Sequence, residues 1–148
     1  MVDVGAYVGY PALMLGGALV ALYGRENVEL GECKVFSFEK DPMCAAVSSS
    51  FVELAGLKGV IDVVVGEAAV QMRLSKEEGK LERVEFLLLD HWEKLYVEDL
   101  KMVEELGLLK EGSVIVADNV VCPGAPEYVR GRKEYSSREI ESHMFNGW

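Results

Sequence analysis

A chain of 148 residues suits one domain (1–148), and with half of its residues apolar it can bury a real core. Its 25 acidic against 15 basic residues leave a formal charge of −10, which repels phosphate backbones and argues against nucleic acid; Arg130–Lys133 is the local basic exception. No segment is long and apolar enough to span a bilayer, no basic leader precedes the apolar stretch Tyr10–Tyr23, and Cys33, Cys44 and Cys122 are scattered, so the expectation is reduced thiols in the cytoplasm, with neither secretion nor a membrane partner.

In chain order, Val2–Val4 reads as a short strand running into Gly5-Ala6-Tyr7-Val8-Gly9. A helix is expected from near Pro11, a residue suited to the first helical position, to a stop at Gly24. Val35–Glu39 is a second strand, and Asp41-Pro42 is an N-cap and N1 pair for a helix to Ala55, with Gly56 as the stop. The β-branched run Ile61–Val65 predicts a strand covered on both faces. A helix over Ala68–Lys76 leads into a charged, solvated connection, Lys76–Arg83. Val84–Asp90 is the most apolar strand, and Val97–Leu106 carries Val97, Leu100, Val103 and Leu106 at helical spacing. Val114–Asp118 is the next strand. Tyr135–Met144 reads as a further one, followed by the hairpin signal Asn146-Gly147 with only Trp148 after it. Strict βα alternation predicts an α/β fold with an open, doubly wound, mostly parallel sheet. The first strand should be central in it, yet it is short.

Three groups of residues carry chemistry. The turn Asp3–Tyr10 is glycine-rich, which lets backbone approach a ligand and frees helix N–H groups to face it, although it is not GxGxxG and serves equally as a tight βα turn. Glu39 ends the second strand, where a carboxylate accepts hydrogen bonds from both ribose hydroxyls of a nucleoside. Asp90 ends the fourth strand within Leu87–Trp92, and Asp118-Asn119 ends the fifth. On neighbouring strands these three oxygen-bearing side chains converge in the crevice at the carboxyl edge, and they suit Mg²⁺ rather than zinc. Helix capping is the plainer use of the same residues. Neither His91 nor His143 has zinc-ligand spacing, while the ring of Trp92 can pack on an adenine or a substrate.

Asp3–Tyr10, Glu39–Ala46, Asp90-His91-Trp92 and Ala117–Pro126 (ADNVVCPGAP) resemble catechol O-methyltransferases in order and spacing, over nearly the whole chain. The resemblance implies a Rossmann-like class I methyltransferase fold, S-adenosylmethionine as methyl donor, Mg²⁺, and transfer to one hydroxyl of a catechol-type small molecule. By position, Asp3 and Glu39 would hold the donor's amino-acid end and ribose. Gly5, Tyr7, Gly9 and Tyr10 would form its turn, Gly66 would join the cofactor site, and His91 and Trp92 would flank adenine beside Asp90. Asp90, Asp118 and Asn119 would bind the metal, with Asn119 also near the acceptor, and Pro123 would line the substrate face. The chemistry is consistent: chelation acidifies a phenol and aims one oxygen at the sulfonium methyl, and a nearby base removes the proton.

This chain departs from the family at several points. Glu93 stands where the family has its lysine base, with Lys94 one place later, and Pro11 replaces the family serine after the glycine turn. The family's N-terminal helices and last strand are missing, so the chain reads as a partial methyltransferase domain, and Phe145 falls about where an acidic substrate ligand is expected. Two other expectations stand beside the leading one. The first is a catalytically impaired remnant that binds donor or metal only; the second is a class I methyltransferase for a non-catechol small molecule.

Overall fold

The computed structural model describes residues 1–29, 33–131 and 135–140. The strands are β1 (Val2–Val4), β2 (Val35–Glu39), β3 (Ile61–Val65), β4 (Phe86–Leu89) and β5 (Val114–Ala117), and they form one sheet in the order β3-β2-β1-β4-β5. Every pairing is parallel. Three-residue β1 is central as expected, bonded to β2 on one side and β4 on the other. Burial explains how so short a strand can hold the middle: Val2, Asp3 and Val4 are all within the core.

The helices cover both faces. α1 (Tyr10–Tyr23), α2 (Arg25–Glu29) and α3 (Pro42–Leu54) lie on one side, with Ala12, Leu19, Val28 and Val52 packed among Val35, Val60 and Ile61. α4 (Ala68–Glu77), α5 (Tyr96–Glu105) and α6 (Pro126–Gly131) lie on the other, where Met72, Tyr96, Leu100, Val103 and Tyr128 pack on Val2, Val4, Phe38, Leu87 and Leu89. Alternate residues of one strand thus serve opposite layers. A 3₁₀ turn, Glu93–Leu95, leads into α5, and an irregular turn, Val120–Gly124, follows β5 with a cis Cys122–Pro123 bond. Among the described residues no helix is long and apolar enough to cross a membrane.

Several expectations need correction. β3 is an edge strand with one neighbour: Ile61 and Val63 pack on the α1/α3 side and Val64 on the α4/α5 side, so both faces are covered in part, while Val65 is half exposed and Asp62 pairs with Lys34 at 2.7 Å. The connection after α4 is only partly solvated, because Leu81 and Val84 are buried in the core. Helix α2 follows α1 directly across Gly24, held by buried Val28, and α6 starts at Pro126; neither was expected. The proposed strand Tyr135–Met144 has no strand structure over residues 135–140, and its remainder, with Asn146-Gly147, lies outside the described residues.

The start of α3 follows the expected chemistry. The Asp41 carboxylate accepts the N–H groups of Met43 and Cys44 at 2.7 and 3.2 Å, and Pro42 occupies the first turn without wasting a donor. Replacing Asp41 by Ala is expected to lower unfolding free energy by about 1 kcal/mol, measured by denaturant titration. An unchanged midpoint would show that the cap contributes nothing.

Candidate functional site

The parallel register brings five strand ends to one edge, and the sheet order reverses between β1 and β4, the place where open α/β sheets form their crevice. The glycine turn fills that place. Gly5 and Ala6 both donate their N–H groups to the carbonyl of Phe38 on β2, at 3.1 and 3.2 Å. Gly5 has φ 104°, and a Cβ there would stand 2.4 Å from the carbonyl oxygen of Asp90. At Gly9, with φ 93°, a Cβ would meet the Ser48 hydroxyl oxygen on α3 at 2.4 Å. Glycine is therefore required at both ends of the turn, for conformation and for close approach. Glu39 braces the middle. One carboxylate oxygen accepts the Tyr7 N–H at 2.7 Å, and the other accepts the Asp41 N–H at 2.8 Å.

Beneath this turn, on the α4/α5 side, is a cavity of about 540 Å³. Gly5, Glu39, Gly66, His91 and Trp92 all line it, so five of the expected cofactor residues share one space. That volume is within the range of small-molecule sites. The other expected residues stand around it. Tyr7 and Tyr10 are two-thirds exposed, Gly9 packs on α3, and Asp3 is wholly buried with its carboxylate accepting the Ser37 hydroxyl at 2.7 Å. Sequence reasoning missed Lys40 and Glu67, which line the same cavity and pair at 2.8 Å on its exposed rim, although both directly follow expected residues. It also missed Asp99. The Nε2 of His91 lies 2.7 Å from an Asp99 carboxylate oxygen, although neither ring nitrogen makes an aligned hydrogen bond. A larger open groove, about 680 Å³ along the free edge of β3, holds none of the expected residues.

The second group lies beside the cavity. Leu89 pairs with Ala117, and the N–H groups of Asp90 and Asp118 continue the ladder to Val4 and Leu89, each at 3.0 Å. The two carboxylates therefore emerge side by side. Asp118 accepts the Asn119 N–H at 2.8 Å, while Asn119 takes the left-handed conformation at φ 55° and turns its amide N–H₂ toward the Cys122 carbonyl, 3.5 Å away. Its amide oxygen remains without a hydrogen bond among the described residues. Burial, then the charge of Asp118, pushes the Asp90 pKa up, against the opposing effect of His91. No group of three or more His, Cys, Asp or Glu side chains gathers to hold a metal among the described residues. The donor set here is two carboxylates and one amide.

Glu93 and Lys94 take different directions. Glu93 is half-buried, and its charge acts on the hydroxyl of Tyr96. Lys94 is exposed, with its ammonium 5.1 Å from the centre of the Trp92 ring.

Residues 1–142 match the family model described as O-methyltransferase. The chain belongs to the O-methyltransferase family. It is 33% identical over 147 residues to a catechol O-methyltransferase of Bos taurus, covering 97% of this chain and 50% of that protein. It is 32% identical to a catechol O-methyltransferase of Sus scrofa, covering 97% of this chain and 74% of that one. The chain spans about half the length of most of the curated relatives it matches. Among solved structures, an O-methyltransferase from Bacillus cereus in complex with SAH superposes with a TM-score of 0.72 at 23% identity, covering 90% of this chain and 59% of that one. The Rossmann-like, doubly wound fold expected from the sequence is thus the fold of O-methyltransferases.

Asp3 supplies a test of the site's electrostatics. Burial pushes its pKa up to about 6; the Ser37 hydrogen bond opposes this, and the charges of Asp90 and Glu39 add to it. The folded form holds a proton that the unfolded form has released, so stability falls as pH rises from about 4 to about 6. Asp3→Asn should remove that part of the slope and stabilise the protein above pH 6, by on the order of 3 kcal/mol. Parallel stability–pH curves for the two proteins would refute the assignment.

Proposed function

We propose that the chain binds S-adenosylmethionine in the cavity beneath the glycine turn and transfers its methyl group to a hydroxyl of a catechol-type small molecule, with Mg²⁺ at Asp90, Asp118 and Asn119. The observation that carries this reading is the single cavity lined by Gly5, Glu39, Gly66, His91 and Trp92 in a member of the O-methyltransferase family. The catechol O-methyltransferase names of the relatives support the acceptor class.

In this reading Glu39 receives the ribose hydroxyls. Each of its oxygens accepts one backbone N–H, which leaves a second lone pair for a ligand. His91 and Trp92 flank the base, with the His91 ring held between Asp99 and Tyr96. The residues at the neighbouring edge fit a hard cation: two adjacent carboxylates repel one another, the Asn119 amide oxygen is free to bind, and three protein oxygens leave positions for water and a chelating acceptor. Bound there, Mg²⁺ would acidify the chelated hydroxyl and hold both acceptor oxygens. The Tyr7 turn and Trp92 then shape the approach of the acceptor to the methyl group.

Glutamate at position 93 favours a second element of the reading, slow turnover with donor binding retained. A carboxylate beside a cation is a weak base near neutral pH, and Lys94 is directed over Trp92 rather than toward the carboxylate pair.

Two outcomes are expected. Calorimetric titration should show S-adenosylmethionine binding that Glu39→Ala weakens tenfold or more, as expected of roughly 1.5–3 kcal/mol for hydrogen bonds to a charged group. Because Glu39 also braces the turn, a thermal melt should accompany the titration, and equal affinities would rule out the ribose role. For the base, Glu93→Lys should raise magnesium-dependent methylation of catechol with donor affinity unchanged. If that variant is no faster while Lys94→Ala loses activity, Lys94 is the working base.

A further inference from the structure

Two buried hydroxyls, those of Ser48 and Tyr96, have no hydrogen-bond partner among the described residues. Ser48 packs against Gly9 of the turn. Tyr96 is placed differently. It is the first residue of α5, fully buried, and its ring is clamped from two sides. The His91 ring lies 5.2 Å away at a tilt of 42°, and the Tyr128 ring meets it edge-on at 5.7 Å. Those contacts hold the ring without help from the hydroxyl. Burying a hydroxyl with nothing to bond costs stability, so the group calls for an explanation.

The surroundings of the hydroxyl supply one. Burial pushes its pKa well up, and the charges of Asp90, Asp118 and Glu93 push in the same direction. Asp90 is one residue before His91, the ring that packs on Tyr96, and Asp118 is beside Asp90 across the β4–β5 ladder. A neutral phenol is a hydrogen-bond donor, and the oxygens of a ligating carboxylate that are not on the metal require donors to hold their orientation.

The geometry points to Tyr96 as a positioning residue, its clamped hydroxyl set to donate to the Asp90–Asp118 carboxylate pair when that pair closes around a cation. This rests on the proposed Mg²⁺ site. It assigns Tyr96 no contact with donor or acceptor; its action runs through the carboxylates.

The test uses Tyr96→Phe in the full chain, because phenylalanine keeps the ring and its packing on His91 and Tyr128. Thermal melts without Mg²⁺ and calorimetric Mg²⁺ titrations are made on both proteins. The expected result is a midpoint equal to or above that of the wild type, since an unpaired buried hydroxyl is gone, together with Mg²⁺ affinity lowered 10–100-fold. Loss on one measurement without loss on the other separates this role from a structural one. A lowered midpoint or failure to fold in Tyr96→Phe, whatever its affinity, would show that the hydroxyl has a structural partner and would overturn the inference. Equal affinities overturn it alone, leaving the metal site standing. Wild-type protein that binds no Mg²⁺ removes the metal site and the inference with it.

Discussion

The carbonyl oxygen of Phe38 accepts two N–H groups at once, from Gly5 and Ala6, and the carboxyl edge of the sheet is organised around that bond. It anchors the turn after β1 to the end of β2, and the Glu39 carboxylate extends the attachment to Tyr7 and Asp41. On the other side the turn touches β4, where Gly5 passes the Asp90 carbonyl too closely for any side chain. One short loop thereby sets the distance between Glu39 on β2 and Asp90-His91-Trp92 after β4. The cavity between them is what remains when backbone is drawn that tight.

The same edge concentrates negative charge. Buried Asp3 and half-buried Asp90 both have raised pKa values, from burial first, with the charges of Asp90 and Glu39 adding to it at Asp3 and that of Asp118 at Asp90. Apart from the Lys40–Glu67 pair on the rim, cations near them are few among the described residues, and Lys94 is engaged with Trp92. A carboxyl buried as fully as Asp3, with one oxygen unbonded, reduces stability. Asn119 adds backbone strain at the same place through its left-handed conformation, which Asn tolerates better than most residues. Such costs gathered in one crevice are consistent with the binding site proposed there.

Much of this was legible in the chain. Strand bounds at Val2–Val4, Val35–Glu39 and Ile61–Val65 follow from short runs rich in Val, Ile and Phe that end at Gly5, Glu39 and Gly66, and the Asp41-Pro42 start of α3 follows from capping chemistry. Gly5, Glu39, Gly66, His91 and Trp92 were named from motif and position, and they meet in one cavity. What escaped has common causes. Helix α2 has five residues, too few to show a period, and its anchor is a single buried valine. The edge position of β3 cannot be read from its composition, since a central strand and an edge strand both use valine and isoleucine.

By itself the sequence determined the alternation of strands and helices, the glycine turn and the acidic residues that end three strands, because these depend on local propensity, capping and steric limits. Only the tertiary structure decided which of them meet. The register of β1 between β2 and β4 put Asp3 inside the core instead of at the mouth of the crevice, and pairing of Leu89 with Ala117 put Asp90 next to Asp118. The 3₁₀ turn after Trp92 sent Lys94 over the indole and left Glu93 on the acidic side. Residues adjacent in sequence leave a tight turn in different directions, and which direction faces the site depends on packing between distant elements, here α5 against β4 and α6.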